Sequence, residues 1–251
     1  MSARIMAHMV AHYPDPLTAL DVGRALFDAG VSYIEVQFPF SDPTADGPTI
    51  QDACTHALAA GFTVEDGFRL IEALSSYRDQ QNLQTPIMIM SYASLVFART
   101  IPWFCARAKA AGAAGLIVPD LPLDSDEGLY ATGENNGLEV VPVVVPSMTE
   151  KRRALLFQRR PHYVYAALRS GITGSYTDIG AENLAFLESL RPLDARILAG
   201  FGIREPSQVR TLMPHVHAAV VGSAIVTTVA SAERSEVHSA VVKRVSELVQ
   251  A

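Results

Sequence analysis

The sequence predicts an α/β fold and, within that class, a (β/α)8 TIM barrel with extra short helices, on three observations. Strand-like and helix-like segments alternate along the chain, the pattern of a parallel sheet with helical crossovers. Eight such pairs can be counted, which favours a closed barrel over an open doubly wound sheet. The length of 251 residues suits one barrel, and no linker, low-complexity tract or fixed-period repeat divides it. Residues 1–251 are therefore expected to form one barrel domain.

Strands are expected at 5–11, 33–38, 86–91, 115–118, 139–145, 163–167, 196–199 and 218–221. Two connections are longer than a barrel requires. Between Pro48 and Pro86 there is room for two helices, 49–60 and 64–77, with Gly61 between them. Residues 168–180 are rich in small and polar side chains and read as a mobile loop able to close over a site. Gly30 and Gly112 stand just before the second and fourth strands, where a helix end calls for a left-handed residue.

Hydrophobic residues make up 49% and charged residues 18%, enough for one large buried core. A net charge of -6 argues against nucleic acid as a partner, and the short run Lys151-Arg152-Arg153 reads as a solvated helix face. Cys54 and Cys105 lack metal-ligand spacing and read as reduced core cysteines. No stretch approaches a membrane span, so a cytoplasmic location is expected.

The most informative stretch is 33–51. A β-branched and aromatic run carries one carboxylate, Glu35, in its interior. Burying a carboxylate costs several kcal/mol, on the order expected for any buried ion, unless it is paired, hydrogen-bonded or protonated. Both a salt bridge and acid–base work satisfy that condition, and Glu35 alone does not decide between them. The strand leads into a loop in which Pro39, Pro43, Pro48 and Gly47 fix the course while Asp42 and Asp46 project from it. Pro48 fits the first turn of a helix carrying Ile50, Ala53, Cys54 and Ala57. A carboxylate in the strand and another on the loop suggest one buried acid/base and one exposed orienting group.

Barrel sites lie at the C-terminal ends of the strands. After the seventh strand comes Gly200-Phe201-Gly202, and after the eighth Gly222-Ser223, where a helix can begin. Small residues and the free N–H groups of a helix start suit phosphate, and Gly174 in the loop after the sixth strand adds to the pattern.

The 33–51 stretch closely resembles the second βα unit of the tryptophan synthase α-subunit family. Further matches are Ser91-Tyr92-Ala93-Ser94-Leu95-Val96-Phe97, Pro119-Asp120-Leu121-Pro122, Tyr163-Val164-Tyr165 and Arg169-Ser170-Gly171-Ile172-Thr173-Gly174, and the similarity runs from about Pro14 to Val226. The resemblance implies a carbon–carbon lyase of aromatic amino-acid biosynthesis that cleaves indole-3-glycerol phosphate to indole and glyceraldehyde 3-phosphate. It implies Glu35 as general acid/base and Asp46 as the ligand of the indole nitrogen. Tyr165 would lie beside the substrate, and Thr173 would hydrogen-bond Asp46 on loop closure. Gly174, Gly202, Gly222 and Ser223 would bind the phosphate, with Phe201 and Val220 as neighbours. Asp120 would support the site or its communication with a partner, a salt bridge at the strand end being the alternative. The implied partner is a β-subunit in an αββα heterotetramer, met through the Asp42-Pro43 loop. Pyridoxal phosphate is expected only on that partner, with neither cofactor nor metal in this chain.

The pattern departs from the family at three points. The barrel is expected to lack much of the usual N-terminal helix. His8 stands where the family has an aromatic ring, and Gln37 where it has glycine, on the same strand face as Glu35; both are expected to alter the pocket. His8 and His12 share a face of the first strand, but two ligands are too few for a metal site, and a histidine near Glu35 would instead tune its charge. These departures leave two alternatives to the lyase: a catalytically impaired α-like protein that regulates a β-subunit, or another phosphate-substrate barrel lyase or isomerase.

Overall fold

The computed structural model describes residues 3–168, 179–200 and 202–250. Strand β1 (Ile5–Val10) is followed by helix α1 (Pro16–Asp28), and β2 (Tyr33–Gln37) by α2 (Pro48–Ala59) and α3 (Val64–Gln80). Next come β3 (Ile87–Met90) with α4 (Ala93–Phe97) and α5 (Ile101–Ala110), then β4 (Gly115–Ile117) with α6 (Leu129–Asn135). Strands β5 (Glu139–Val141) and β6 (Val143–Val144) precede α7 (Glu150–Arg159), and β7 (Tyr163–Ala167) precedes α8 (Ala181–Leu190). The chain continues through β8 (Arg196–Gly200), α9 (Pro206–Leu212), β9 (Ala218–Val221), α10 (Ser223–Ser231) and α11 (Val237–Val249).

All strand pairs are parallel, in the order β5-β4-β3-β2-β1-β9-β8-β7-β6. Among the described residues nine strands appear where eight are expected, because the fifth is cut in two at Pro142, which has no N–H to give a ladder. Its carbonyl still accepts from Tyr165 N at 2.9 Å. Since β5 pairs with β4 and β6 with β7, this one interrupted segment closes the barrel. Other strands end within a residue or two of expectation, and the first stops at Val10, before His12.

Strand alternation sorts the core into two shells. Met6, Tyr33, Met88, Ile117, Tyr165, Leu198 and Val220 point into the barrel, whereas Ile5, Ala7, Ile34, Val36 and Ile89 meet the helices. On the inner face of β1 and β2, His8 is in register with Glu35 and Val10 with Gln37. Just past β2, Phe38 points outward into an aromatic nest. Its ring meets Phe62, Phe68 and Phe104 edge-on, with centroids 6.0, 5.2 and 6.1 Å away.

Helix ends follow the local chemistry. Asp15 caps α1 by accepting from Leu17 N and Thr18 N, both at 3.0 Å, and Thr63 with Asp66 forms a capping box on α3. Gly30 and Gly112 take φ of +74° and +94° after α1 and α5, the left-handed geometry expected of them.

Candidate active site

Glu35 is 1% exposed and points inward from β2. Its Oε2 meets His8 Nδ1 at 2.9 Å, as the register of β1 and β2 dictates. Burial disfavours a charge on His8, but the Glu35 carboxylate, its hydrogen bond and the more distant Asp46 outweigh this and hold the imidazole above its usual pKa. The pairing expected of a buried carboxylate is thus present, and the partner is a titratable group facing the same cavity.

Asp46 is not the exposed group expected: the proline-fixed loop folds it over the end of β2, where it is 5% exposed. Its backbone N–H donates to Pro43 O at 2.9 Å, and its own carbonyl accepts from Gln51 Nε2 at 2.8 Å, so the turn is tied at both sides. Two donors reach the same carboxylate oxygen: Gln37 Nε2 at 2.7 Å and Tyr92 OH at 2.8 Å, both to Oδ2. Burial pushes the Asp46 carboxyl above its usual pKa, while His8, Tyr92 and Gln37 pull it back. Gln37 also donates to Cys54 Sγ at 3.4 Å, and burial near Asp46 pushes that thiol up to about 12.

Tyr92, 1% exposed, is the site residue that sequence reasoning missed. It accepts from Ala45 N at 3.1 Å, donates to Asp46, and stacks on Phe40 with centroids 5.1 Å apart. The signal was present: Tyr92 falls two residues after Met90, on the inward phase of β3.

Gly222 caps α10 with no side-chain hydrogen bond, which leaves the first N–H groups of that helix facing the barrel mouth. After β8, buried Gln208 accepts from Arg204 N and Glu205 N at 2.8 and 2.9 Å and donates to Gly202 O at 3.2 Å, pinning the second glycine turn. A cavity of about 580 Å³, its open mouth included, joins these parts and is lined by His8, Glu35, Asp46, Tyr165, Gly202 and Ser223, with Val220 and Gly222 beside them.

Other residues singled out in the sequence are placed differently. Thr173, Gly174 and Phe201 lie outside the described residues. Asp120 accepts from Ala93 N at 2.9 and 3.2 Å at the start of α4, next to Tyr92. Asp42 is exposed and accepts from Ser41 Oγ, whereas Pro43 is buried within the chain, so Asp42 alone of that pair lies on the surface. His12 has left the strand at φ +65° and packs edge-on against Phe62, so it does not share a face with His8.

A family model described as tryptophan synthase alpha chain matches residues 2–251. The chain belongs to the tryptophan synthase alpha chain family. The alpha chain of Helicobacter hepaticus is 38% identical over 88% of this chain and 83% of its own, and that of Carboxydothermus hydrogenoformans is 34% identical over 88% and 82%. A structure of Mycobacterium tuberculosis tryptophan synthase superposes with a TM-score of 0.87 at 29% identity, covering 100% of this chain and 93% of that one. The Pyrococcus furiosus tryptophan synthase complex gives a TM-score of 0.87 at 26% identity, with 100% and 99% covered.

Membership in the alpha chain family makes the chain a TIM-barrel carbon–carbon lyase of tryptophan biosynthesis, and indole-3-glycerol phosphate is the substrate cleaved. Alpha chains do not themselves bind pyridoxal phosphate. Among the described residues, no helix is long and apolar enough to cross a membrane.

Proposed function

We propose that Glu35 and Asp46 divide the cleavage between them, and that the turns at Gly202 and Gly222-Ser223 hold the substrate phosphate. The observation that carries this reading is the convergence of two buried carboxylates and an uncapped helix start on one cavity. Breaking the carbon–carbon bond requires indole C3 to gain a proton and the neighbouring hydroxyl to lose one. Glu35 serves both steps, delivering a proton to C3 and taking one from the hydroxyl as the bond parts. Positive charge spreads to the ring N–H during protonation. Among the described residues both donors to the Asp46 carboxylate use Oδ2, which leaves Oδ1 to accept that N–H and stabilise the charge. Phosphate on the helix start fixes the substrate's other end, so that the reacting carbon stays beside Glu35. Tyr165 and Val220 pack beside the substrate from β7 and β9.

Residues 1–251 act as one barrel domain in the cytoplasm, with a β-subunit as partner. That partner carries the pyridoxal phosphate, and exposed Asp42 belongs to the docking surface. Support comes from the solved relatives, among them a tryptophan synthase complex of Pyrococcus furiosus. The test is indole release from indole-3-glycerol phosphate by the purified protein, alone and with a β-subunit from the same source. Turnover that rises with the partner and vanishes in Glu35→Gln is expected. Unchanged turnover in Glu35→Gln would overturn the assignment, and activation of the β-subunit without any indole release would favour a regulatory protein instead.

A further inference from the structure

Glu35 does not stand alone as an acid–base group. His8 meets it through Nδ1, and the other ring nitrogen, Nε2, is buried with no hydrogen-bond partner among the described residues. His8 is 4% exposed and lines the same cavity as Glu35. Its ring lies against Gly222: a Cβ placed on that glycine would stand 3.4 Å from His8 Cβ, Cγ and Cδ2. The imidazole therefore bridges the carboxylate and the uncapped start of α10.

That placement restricts the proton. A neutral ring donating through Nδ1 leaves Nε2 as a bare lone pair, which burial tolerates. A protonated ring buries an N–H with nothing to accept it, which limits how far the two carboxylates raise its pKa until an acceptor enters. An anion at the start of α10 is such an acceptor.

Resting on the reading of Glu35 and the phosphate turns given above, we propose that His8 loads Glu35 with its proton when the substrate phosphate arrives. Phosphate supplies the missing acceptor, and Nε2 takes a proton from solvent water. The Nδ1–H bond then breaks as Glu35 Oε2–H forms, leaving a neutral ring protonated on Nε2. Glu35 gives this proton to indole C3, takes the hydroxyl proton as the carbon–carbon bond parts, and returns it to Nδ1. When products leave, Nε2 releases its proton to water and the cycle closes without net change.

The titratable groups facing His8 are Glu35 from β2, Asp46 from the following loop and Tyr165 from β7, with Cys54 of α2 behind Gln37. Burial raises the pKa of both Tyr165 and Cys54, so they stay neutral. The two carboxylates already favour a charged ring, and the phosphate adds to a balance tilted that way.

Calorimetry with indole-3-propanol phosphate tests this, because that compound has the ring and the phosphate but no hydroxyl to react. Titrations in buffers of different ionisation heat, near about pH 8 where a phosphate monoester is already a dianion, report protons taken up on binding. Wild-type protein should take up roughly half a proton or more. His8→Asn, whose amide can still donate to Glu35 but cannot titrate, should take up less than about a tenth. No uptake by wild type between about pH 7 and 9, or equal uptake by the variant, would overturn the proposal. Nitrogen NMR of histidine-labelled wild type gives an answer without a variant. The His8 Nε2 resonance must move into the protonated range on adding the analogue, and a resonance that stays put would also overturn it. Turnover of Glu35→Gln separates the two ideas. Persistent turnover fails the Glu35 reading itself, whereas lost turnover with no proton uptake fails only the role of His8.

Discussion

Gln37 Nε2 sits 2.7 Å from Asp46 Oδ2 and 3.4 Å from Cys54 Sγ, so one amide ties the loop carboxylate to both β2 and α2. Gln37→Gly removes that donor, and the Asp46 carboxyl, already raised by burial, should rise further. In the proposed mechanism Asp46 works ionised, so the rate is lost as pH falls through its pKa. The acidic limb of the kcat/KM profile should therefore move to higher pH, by about one unit. A limb that stays in place would show that Gln37 does not set the charge on Asp46.

Tyr92→Phe deletes the second donor to Asp46 and leaves Ala45 N without its acceptor. The loss of a hydrogen bond to a charged group, about 1.5–3 kcal/mol, should lower kcat/KM for indole-3-glycerol phosphate roughly tenfold or more. Because the ring remains to stack on Phe40, unfolding in urea should change far less than activity. Steady-state kinetics that match wild type would remove Tyr92 from the site.

The His8–Glu35 pair makes stability depend on pH. The folded-state pKa of His8 is raised, so its contribution is full below the ordinary value of 6.5 and is lost as pH rises through the elevated one. The stability margin of wild type over His8→Asn should thus be largest in mild acid and shrink toward alkaline pH. Urea midpoints at several pH values measure it, and a margin that grows with pH would contradict the pairing.

Gly67 of α3 lies on the Phe38 ring. A Cβ there would come within 2.6 to 2.8 Å of three ring atoms, and Phe62, Phe68 and Phe104 leave that ring little room to retreat. Gly67→Ala should destabilise the protein by about 1–3 kcal/mol despite its gain in helix propensity. Since Phe38 only backs the strand that carries Glu35, kcat of the folded fraction should stay within about twofold of wild type. Equal or greater thermal stability would refute the overpacking argument.

The alternation of apolar strands with amphipathic helices made the barrel legible in the sequence, and a lone charge inside a β-branched run singled out Glu35. Pro142 was visible too, but the segment 139–145 is apolar on both sides of it, and periodicity alone does not register a missing N–H. His12 was misplaced because strand alternation continues in the sequence past Val10, while the backbone turns to φ +65°. Tyr92 escaped notice because its role depends on a loop 46 residues earlier folding over it, a contact that no local pattern encodes. His8 and Gln37 were marked as pocket-altering, but which groups they bond emerges only from the register of β1 on β2 and from the course of the 39–48 loop.

The break at Pro142 bears on how the barrel opens. Six ladders among the described residues join unbroken strands, whereas here the circle passes from β5 to β6 through a residue that can only accept. Amides of the short β6 segment should therefore exchange with deuterated solvent ahead of those in β1 and β2, which carry the hydrogen-bonded pair His8 and Glu35. Thermal breathing then concentrates at the seam farthest around the sheet from His8 and Glu35, so the cylinder can flex without disturbing the pair.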